Sequence, residues 1–424
     1  MSETRVGIDD LSLYIPAPRI DLDRLVERRG REEPKLERRL QRALQTTGQK
    51  AIRFPEPWED SATLAAQAAH SLFQRGKEKR DPGKLRYIAV GTETSVDMSK
   101  PIAAYVEGML QQSGDGVPNS ISTFQVQHAC AGGTISLLSV SALLQAAGQP
   151  EESGLVICSD IARYETPSTA EVTQGAGAVA MRVTTNPDLL EIDLTSQGYS
   201  SKDVDDFFRP LGSVTAKVKG GYSVQCYHDA FEEAFDDHCR RSNVASDNCL
   251  RNTDLFVLHV PFYNMAYAGL QKLAEKKLGL SEEEAAEFVN GKGFVGGIEP
   301  TTKIGNIYSG SAYMAMIFLL ADEYNKQGEG IVGKKMLIGS YGSGNTMSVV
   351  SARVAGNAPK VISQWDLESV FAMARESSFD EYDRWVEQDG YALKEVEIDH
   401  AAAPAGTFRL TGVREDGYRL YQYQ

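Results

Sequence analysis

Residues 125–139 read QVQHACAGGTISLLS, and their reading decides the fold. Upstream, ISTFQVQHAC (121–130) has the alternation of an extended strand. Downstream, GGTISLLSVSALLQAAG (132–148) carries leucines and small residues at helical spacing from Ile135 to Ala147. A strand therefore runs through a small-residue turn into a helix, and Cys130 stands at the junction. A thiol there sits near a helix N-terminus, where the macrodipole and free backbone N–H groups favour a thiolate, and so a nucleophile. The same position also suits a buried small hydrophobe, because free cysteine is among the most buried residue types.

Working outward, RVGIDDLSLYIP (5–16), LRYIAVGTE (85–93), GLVICSD (154–160) and GAVAMRVT (177–184) read as further strands. SATLAAQAAHSLFQRG (61–76) and AAYVEGMLQQSG (103–114) read as helices between them. This alternation predicts an α/β architecture. The second half repeats the order with LLEIDLTS (189–196), TDLFVLHVPF (253–262), IGNIYSGSAYMAMIFLLADE (304–323), KKMLIGSYGSGN (334–345) and MSVVSARV (347–354). The pattern is an internal duplication of one α/β unit, with halves at 1–185 and 186–424. In a doubly wound sheet, ligands bind beyond the carboxyl ends of the strands. Glu93, Cys130, Asp160, His259, Asn306 and Ser343 all fall there, so the duplication draws them toward one crevice.

A chain of 424 residues exceeds one ordinary core, in keeping with two halves. The formal net charge of −14 argues against nucleic acid as a partner. The cysteines (130, 158, 226, 239 and 249) have no metal-ligand spacing, and their odd number suggests free thiols in a reducing compartment. The N-terminus lacks a signal-peptide pattern, and the apolar run YMAMIFLLA (313–321) is too short for a bilayer. A cytoplasmic protein without membrane contact is the expectation. The charged runs 28–60 and 275–293 read as solvated helices, and the tail, ending YRLYQYQ (418–424), as ordered strand. EVTQGAGAVAM (171–181) is no dinucleotide loop, and P-loop, HExxH and GxSxG motifs are absent. No cofactor and no metal are expected.

His259, in VLHVPFYNMA, sits at a strand end closed by Pro261. It suits a general acid/base or an oxyanion partner, or a hydrogen-bonded structural histidine. Glu93 ends an apolar strand, where desolvation raises a carboxyl toward useful proton transfer; a capping or surface carboxylate is the other reading. The Gly/Ser turns around Asn306 and Ser343 can bring backbone N–H groups close to a substrate oxygen.

Taken together, GTETSVDMSKP (91–101), QHACAGGT (127–134), ICSDIARY (157–164), TQGAGAVAM (173–181), DDFFRP (205–210), HVPF (259–262), IGNIYSGS (304–311) and SYGSGN (340–345) resemble, in order, the 3-hydroxy-3-methylglutaryl-CoA synthase family of the thiolase superfamily. The resemblance spans nearly the whole chain. It implies a thiolase-like fold with five α-β-α-β-α layers, a homodimer, and coenzyme A thioesters as substrates. It further implies condensation of acetyl-CoA with acetoacetyl-CoA through an acetyl-cysteine, in mevalonate synthesis. By motif position Cys130 is the acetylated residue, Glu93 moves the methyl proton, and His259 polarises the acetoacetyl carbonyl. Asn306 and Ser343 orient the second substrate, Asp160 and Asp206 support the site, and Thr173 and Phe207 join the substrate-binding set.

Two departures stand out. Ala131 replaces the family's tyrosine after the cysteine. Asn264 replaces a lysine associated with the CoA chain, with Lys272 two turns on as an electrostatic substitute. Both departures keep open a β-branching enzyme acting on a β-ketoacyl group held by an acyl carrier protein. Another ketoacyl synthase, or a non-catalytic scaffold, are the remaining alternatives. GTETSVD argues against the ketoacyl synthase. The joint presence of Cys130, Glu93 and His259 argues against the scaffold.

Overall fold

The structure is a computed structural model and describes residues 5–76, 81–149, 151–388 and 395–424. Ten strands form its main sheet: β1 (Val6–Tyr14), β2 (Leu85–Gly91), β3 (Ser122–Val126), β4 (Ser153–Ala162), β5 (Gly175–Thr185), β6 (Leu190–Ile192), β7 (Gly198–Ser201), β8 (Leu255–Leu258), β9 (Lys335–Gly342) and β10 (Thr346–Val354). Their order is β8-β9-β10-β6-β1-β5-β4-β2-β3, and β7 pairs with β10. Read from the centre, β1-β5-β4-β2 and β6-β10-β9-β8 repeat one pattern of two antiparallel pairings followed by a parallel one. The centre is closed by antiparallel pairing of β1 with β6.

The copy is incomplete. Parallel β3 flanks β2, but the corresponding segment of the second half, ahead of the helix at 311–327, folds as two 3₁₀ turns, Pro300–Lys303 and Tyr308–Gly310. Gly305, Gly310 and Pro300 interrupt the extended run that this register demands.

Helices fill three layers. The helices α1 (Leu22–Glu32), α2 (Pro34–Thr47), α3 (Ser61–Gly76), α4 (Ile102–Gln112), α5 (Gly132–Ala147), α6 (Gly220–Ser242), α7 (Tyr263–Leu278) and α8 (Ser311–Gln327) matter here. Because side chains alternate across a strand, each strand serves two cores. Ala89, Val179, Met181, Leu255, Val257, Met336 and Ile338 face a central core with Leu137, Val140 and Leu144 of α5 and Met314, Ile317 and Leu320 of α8. Ile88, Val90, Ala176, Ala178 and Ala180 face α3 and α4 on one outer side. Phe256, Leu258, Leu337 and Tyr341 face α6 and α7 on the other. Thr134 and Tyr313 bond across the middle layer at 2.7 Å. The result is the five-layered α-β-α-β-α arrangement. Residues 129–147 have the length and hydropathy of a membrane-crossing segment, yet 56% of that window is buried, as a central core helix requires.

Two charged stretches depart from a plain solvated helix. In α1, Arg29 is buried and bonds Glu171, itself fully buried, at 2.7 Å. The run at 275–293 contains a second helix, Glu282–Gly291, opened by a Ser281–Glu284 capping box. The tail forms Phe408–Val413 and Arg419–Tyr423, paired antiparallel, as its alternation predicts.

Candidate active site

Beyond Gly91 the chain turns sharply, and one buried carboxylate fixes that turn. Asp160 Oδ1 accepts from Thr92 Oγ1 at 2.8 Å, Glu93 N at 2.9 Å, Thr94 N at 3.2 Å and Thr94 Oγ1 at 2.8 Å. Its Oδ2 accepts from Ser309 N at 3.1 Å and Ser309 Oγ at 2.5 Å. Asp160 thus joins the Glu93 turn to the start of α8 and has no free oxygen for other duties. Burial raises its carboxyl, while these bonds oppose the shift.

Glu93 emerges from that turn. Arg209 Nη2 donates to its Oε1 at 2.9 Å, and Arg209 Nη1 donates to its carbonyl oxygen at 3.1 Å. Burial pushes the Glu93 carboxyl up to about 8; Arg209 pulls it down and Asp160 adds to the rise.

Cys130 precedes α5 by a tight turn, with Ala129 in left-handed backbone at φ 41°. Such strain in a non-glycine residue persists where the surroundings enforce it. Two glycines let the helix start press on the strands. A Cβ on Gly133 would lie 2.3 Å from Cys158 Sγ, and one on Gly91 would lie 2.1 Å from Gly133 N. The Cys130 side chain joins Ala162, Tyr164, Phe207, Ala216 and Tyr308 in a small buried cluster. Its thiol is pushed well above the ordinary value, first by burial, then by Glu93 and Asp160. The helix N-terminus alone predicts the opposite. In the free protein, desolvation and two neighbouring carboxyl groups outweigh it.

His259 follows β8. Its N–H donates to Gly339 O at 2.7 Å, and its carbonyl accepts from Tyr227 at 3.0 Å. Burial lowers the imidazole to about 3, so it is neutral across the physiological range. Strand β9 links this position to the cysteine turn. At its far end, a Cβ on Gly342 would lie 2.6 Å from His128 O and 2.8 Å from Ala131 N.

Asn306 Oδ1 accepts from Tyr308 N at 2.8 Å and Ser311 Oγ at 2.9 Å, and its own N–H donates to Thr173 O at 3.2 Å. Tyr308 is a second left-handed residue, at φ 44°. Phe207 meets its ring edge-on at 5.7 Å. Asp206 accepts from Tyr341 at 2.8 Å and Gly344 N at 2.9 Å, which fixes the loop bearing Phe207 against the Ser343 turn. A cleft of about 1440 Å³ opens here, lined by Glu93, Ala129, Phe207, Arg209 and Ser343 and walled by Met373 and Trp385.

Asn264 and Lys272 stand apart from this group. Asn264 Nδ2 donates to Gln45 O at 3.0 Å and Thr46 O at 2.9 Å, closing the C-terminus of α2. Lys272 Nζ lies 3.2 Å from His228 Nδ1 on an exposed face of α7. Arg209, Tyr164 and Tyr308 are residues of the site that sequence reasoning passes over. The arginine after two aromatics in DDFFRP was the available signal, since a cation embedded in apolar sequence tends to be paired.

The fold and the site define a thiolase-like enzyme. The chain matches the model for the hydroxymethylglutaryl-coenzyme A synthase N-terminal region over residues 3–188 and that for the C-terminal region over residues 285–424. The hydroxymethylglutaryl-CoA synthase of Haloferax volcanii is 30% identical over 99% of both chains. That of Enterococcus faecalis is 29% identical over 80% of each. The structure of MvaS in complex with 3-hydroxy-3-methylglutaryl coenzyme A is 31% identical with a TM-score of 0.87, covering 99% of both chains. The curacin biosynthetic pathway HMG synthase, 22% identical with a TM-score of 0.85 over 99% of this chain and 100% of that one, shares the fold. The chain belongs to the hydroxymethylglutaryl-CoA synthase family, a family of acyl-transferring enzymes.

Proposed function

We propose that this protein is a hydroxymethylglutaryl-CoA synthase that condenses acetyl-CoA with acetoacetyl-CoA through an acetyl-Cys130 intermediate. The observation that carries the mechanism is that Cys130 is buried in one cluster with Phe207 and Tyr308, while the Arg209 guanidinium that grips Glu93 sits over the same Tyr308 ring. Cys130 sulfur attacks the acetyl-CoA carbonyl and CoA leaves, with the thiol proton passing to the departing sulfur. Glu93 as carboxylate then takes a proton from the acetyl methyl. The resulting carbanion equivalent forms a C–C bond to the ketone carbon of acetoacetyl-CoA. Neutral His259 donates an N–H to that ketone oxygen and stabilises the developing alkoxide. The alkoxide takes its proton from the Glu93 carboxylic acid. Water hydrolyses the Cys130 thioester and leaves a carboxylate on the product. Splitting the reaction through an acyl-enzyme replaces one difficult step by easier ones. Asn306, Thr173, Phe207 and Ser343 shape the second substrate's site, while Asp160 and Asp206 hold its walls. The scheme calls on coenzyme A thioesters alone and on no metal, and the proposed role is to supply mevalonate synthesis in the cytoplasm.

The test is incubation with labelled acetyl-CoA. Label is expected on the tryptic peptide bearing Cys130, and none in Cys130→Ser. Glu93→Ala is expected to acetylate normally and to lose condensation by a factor on the order of 10² or more. A wild-type protein that never acetylates overturns the reading. Asn264 favours a second reading, because its amide is committed to α2 where the family carries lysine. Under it, an acyl carrier protein delivers the β-ketoacyl group, and turnover of acetoacetyl-carrier exceeds that of acetoacetyl-CoA.

We further infer a homodimer. β3 ends the sheet and its residues are exposed or half-buried. Beside it α5 exposes Leu143, and a shallow groove runs along Ile135, Leu138, Ala142 and Ala146. A second copy of this chain pairing on β3 covers both.

A further inference from the structure

The Glu93 side chain is gripped, and the grip comes from the other half of the molecule. Arg209 lies in the loop between β7 and α6, while Glu93 follows β2. One guanidinium N–H takes the carboxylate and another takes the same residue's carbonyl oxygen, at 2.9 and 3.1 Å. Both partners are nearly buried, with Arg209 at 15% and Glu93 at 7% side-chain exposure, so solvent screens the pair little. The guanidinium also sits over the Tyr308 ring at 5.7 Å.

Among the described residues, the other charged or titratable groups that act on or feel Glu93 are Asp160 on β4, Cys130 before α5, Tyr164 after β4 and Tyr308 before α8. Each is neutral or negative when it ionises. Arg209 is the cation of the set. A base that removes a methyl proton must be ionised, and burial beside Asp160 works against that.

We propose that Arg209 is the positioning residue that aims Glu93 at the acetyl methyl and favours its ionised form. This rests on Glu93 being the base of the proposed reaction. The fork geometry is the reason for arginine. Two N–H groups of one rigid plane reach two oxygens of one residue, which an ammonium cannot reproduce. Burial already lifts Glu93 to about 8 with the guanidinium in place, so losing the cation moves it further up. Proton transfer to Glu93 discharges the pair, and the clamp on the carbonyl oxygen keeps the acid in place for its return to the alkoxide.

The test uses full-length Arg209→Gln and Arg209→Lys. Cys130 acetylation by acetyl-CoA is read by mass spectrometry, and single-turnover condensation is followed against pH. In Arg209→Gln, acetylation is expected to stay within about twofold of wild type, while condensation near pH 7 falls about tenfold or more and its acidic limb moves up by about one pH unit or more. Arg209→Lys is expected between the two. An unmoved limb with near-wild-type condensation overturns the proposal. So does acetylation lost as deeply as condensation, which marks a merely structural arginine. Infrared titration of the Glu93 carboxyl in the free protein, identified by difference from Glu93→Gln, reads the pairing without catalysis. An equal midpoint in wild type and Arg209→Gln overturns the pairing, whereas a wild type without acetyl-Cys130 overturns the proposed function instead.

Discussion

At Glu93 and His259, burial shifts two groups in opposite chemical senses, and the consequences for stability carry opposite signs. Glu93 has a folded value of about 8 against an ordinary 4.5, so the folded state holds a proton that the unfolded state has released. Its contribution to stability is full below about pH 4.5 and is lost as pH rises through about 8. Glu93→Gln removes this loss. Chemical denaturation is expected to show Glu93→Gln gaining on wild type between pH 5 and pH 8. His259 runs the other way, with a folded value of about 3 against 6.5. Its contribution is present above about pH 6.5 and lost as pH falls toward 3, so His259→Gln is expected to flatten the acid side of the same curve. Asp160 is a different case. Removing it strands donors from Thr92, Glu93, Thr94 and Ser309, and Asp160→Ala is expected to cost on the order of 3–5 kcal/mol in thermal or urea unfolding. The places of Cys130, Glu93 and His259 were legible because each stands just past a strand or in the turn that follows one. The partners that tune them were not. Arg209 reaches Glu93 from 116 positions away in sequence, and no local pattern encodes that approach.

At the level of elements, the site depends on how closely α5 starts against β2 and β4. Gly91 and Gly133 leave no space for a methyl group. Gly91→Ala therefore forces the first turn of α5 outward and is expected to abolish Cys130 acetylation, with a stability loss of about 1–3 kcal/mol by thermal unfolding. The strand-turn-helix unit was readable because its two periods differ so clearly on either side of Cys130. The matching unit before α8, read as the counterpart of the Cys130 strand-to-helix turn, keeps the turn and the helix without the strand. IGNIYSGS has extended-looking residues, yet Tyr308 takes a left-handed backbone and Asn306 bonds locally, so the segment coils into 3₁₀ turns. The charge of α1 hid the buried Arg29–Glu171 bond, because only the tertiary partner distinguishes a solvated arginine from an enclosed one.

For the molecule as a whole, alternation of strands and helices disclosed the layered duplication, since each strand's two faces obey one period. The proposed association of two copies belongs to this scale. Phe124→Lys together with Leu143→Glu is expected to halve the mass seen by light scattering while the circular dichroism stays that of the wild type. The imperfect repeat has its own outcome. β8, at the opposite margin of the sheet, is buried along its length, whereas β3 is not. A ribbon with one open border can be stitched to a single twin and then has nowhere left to grow. In the proposed dimer the buried β8 acts as a hem that keeps a pairwise assembly from unspooling into a fibre.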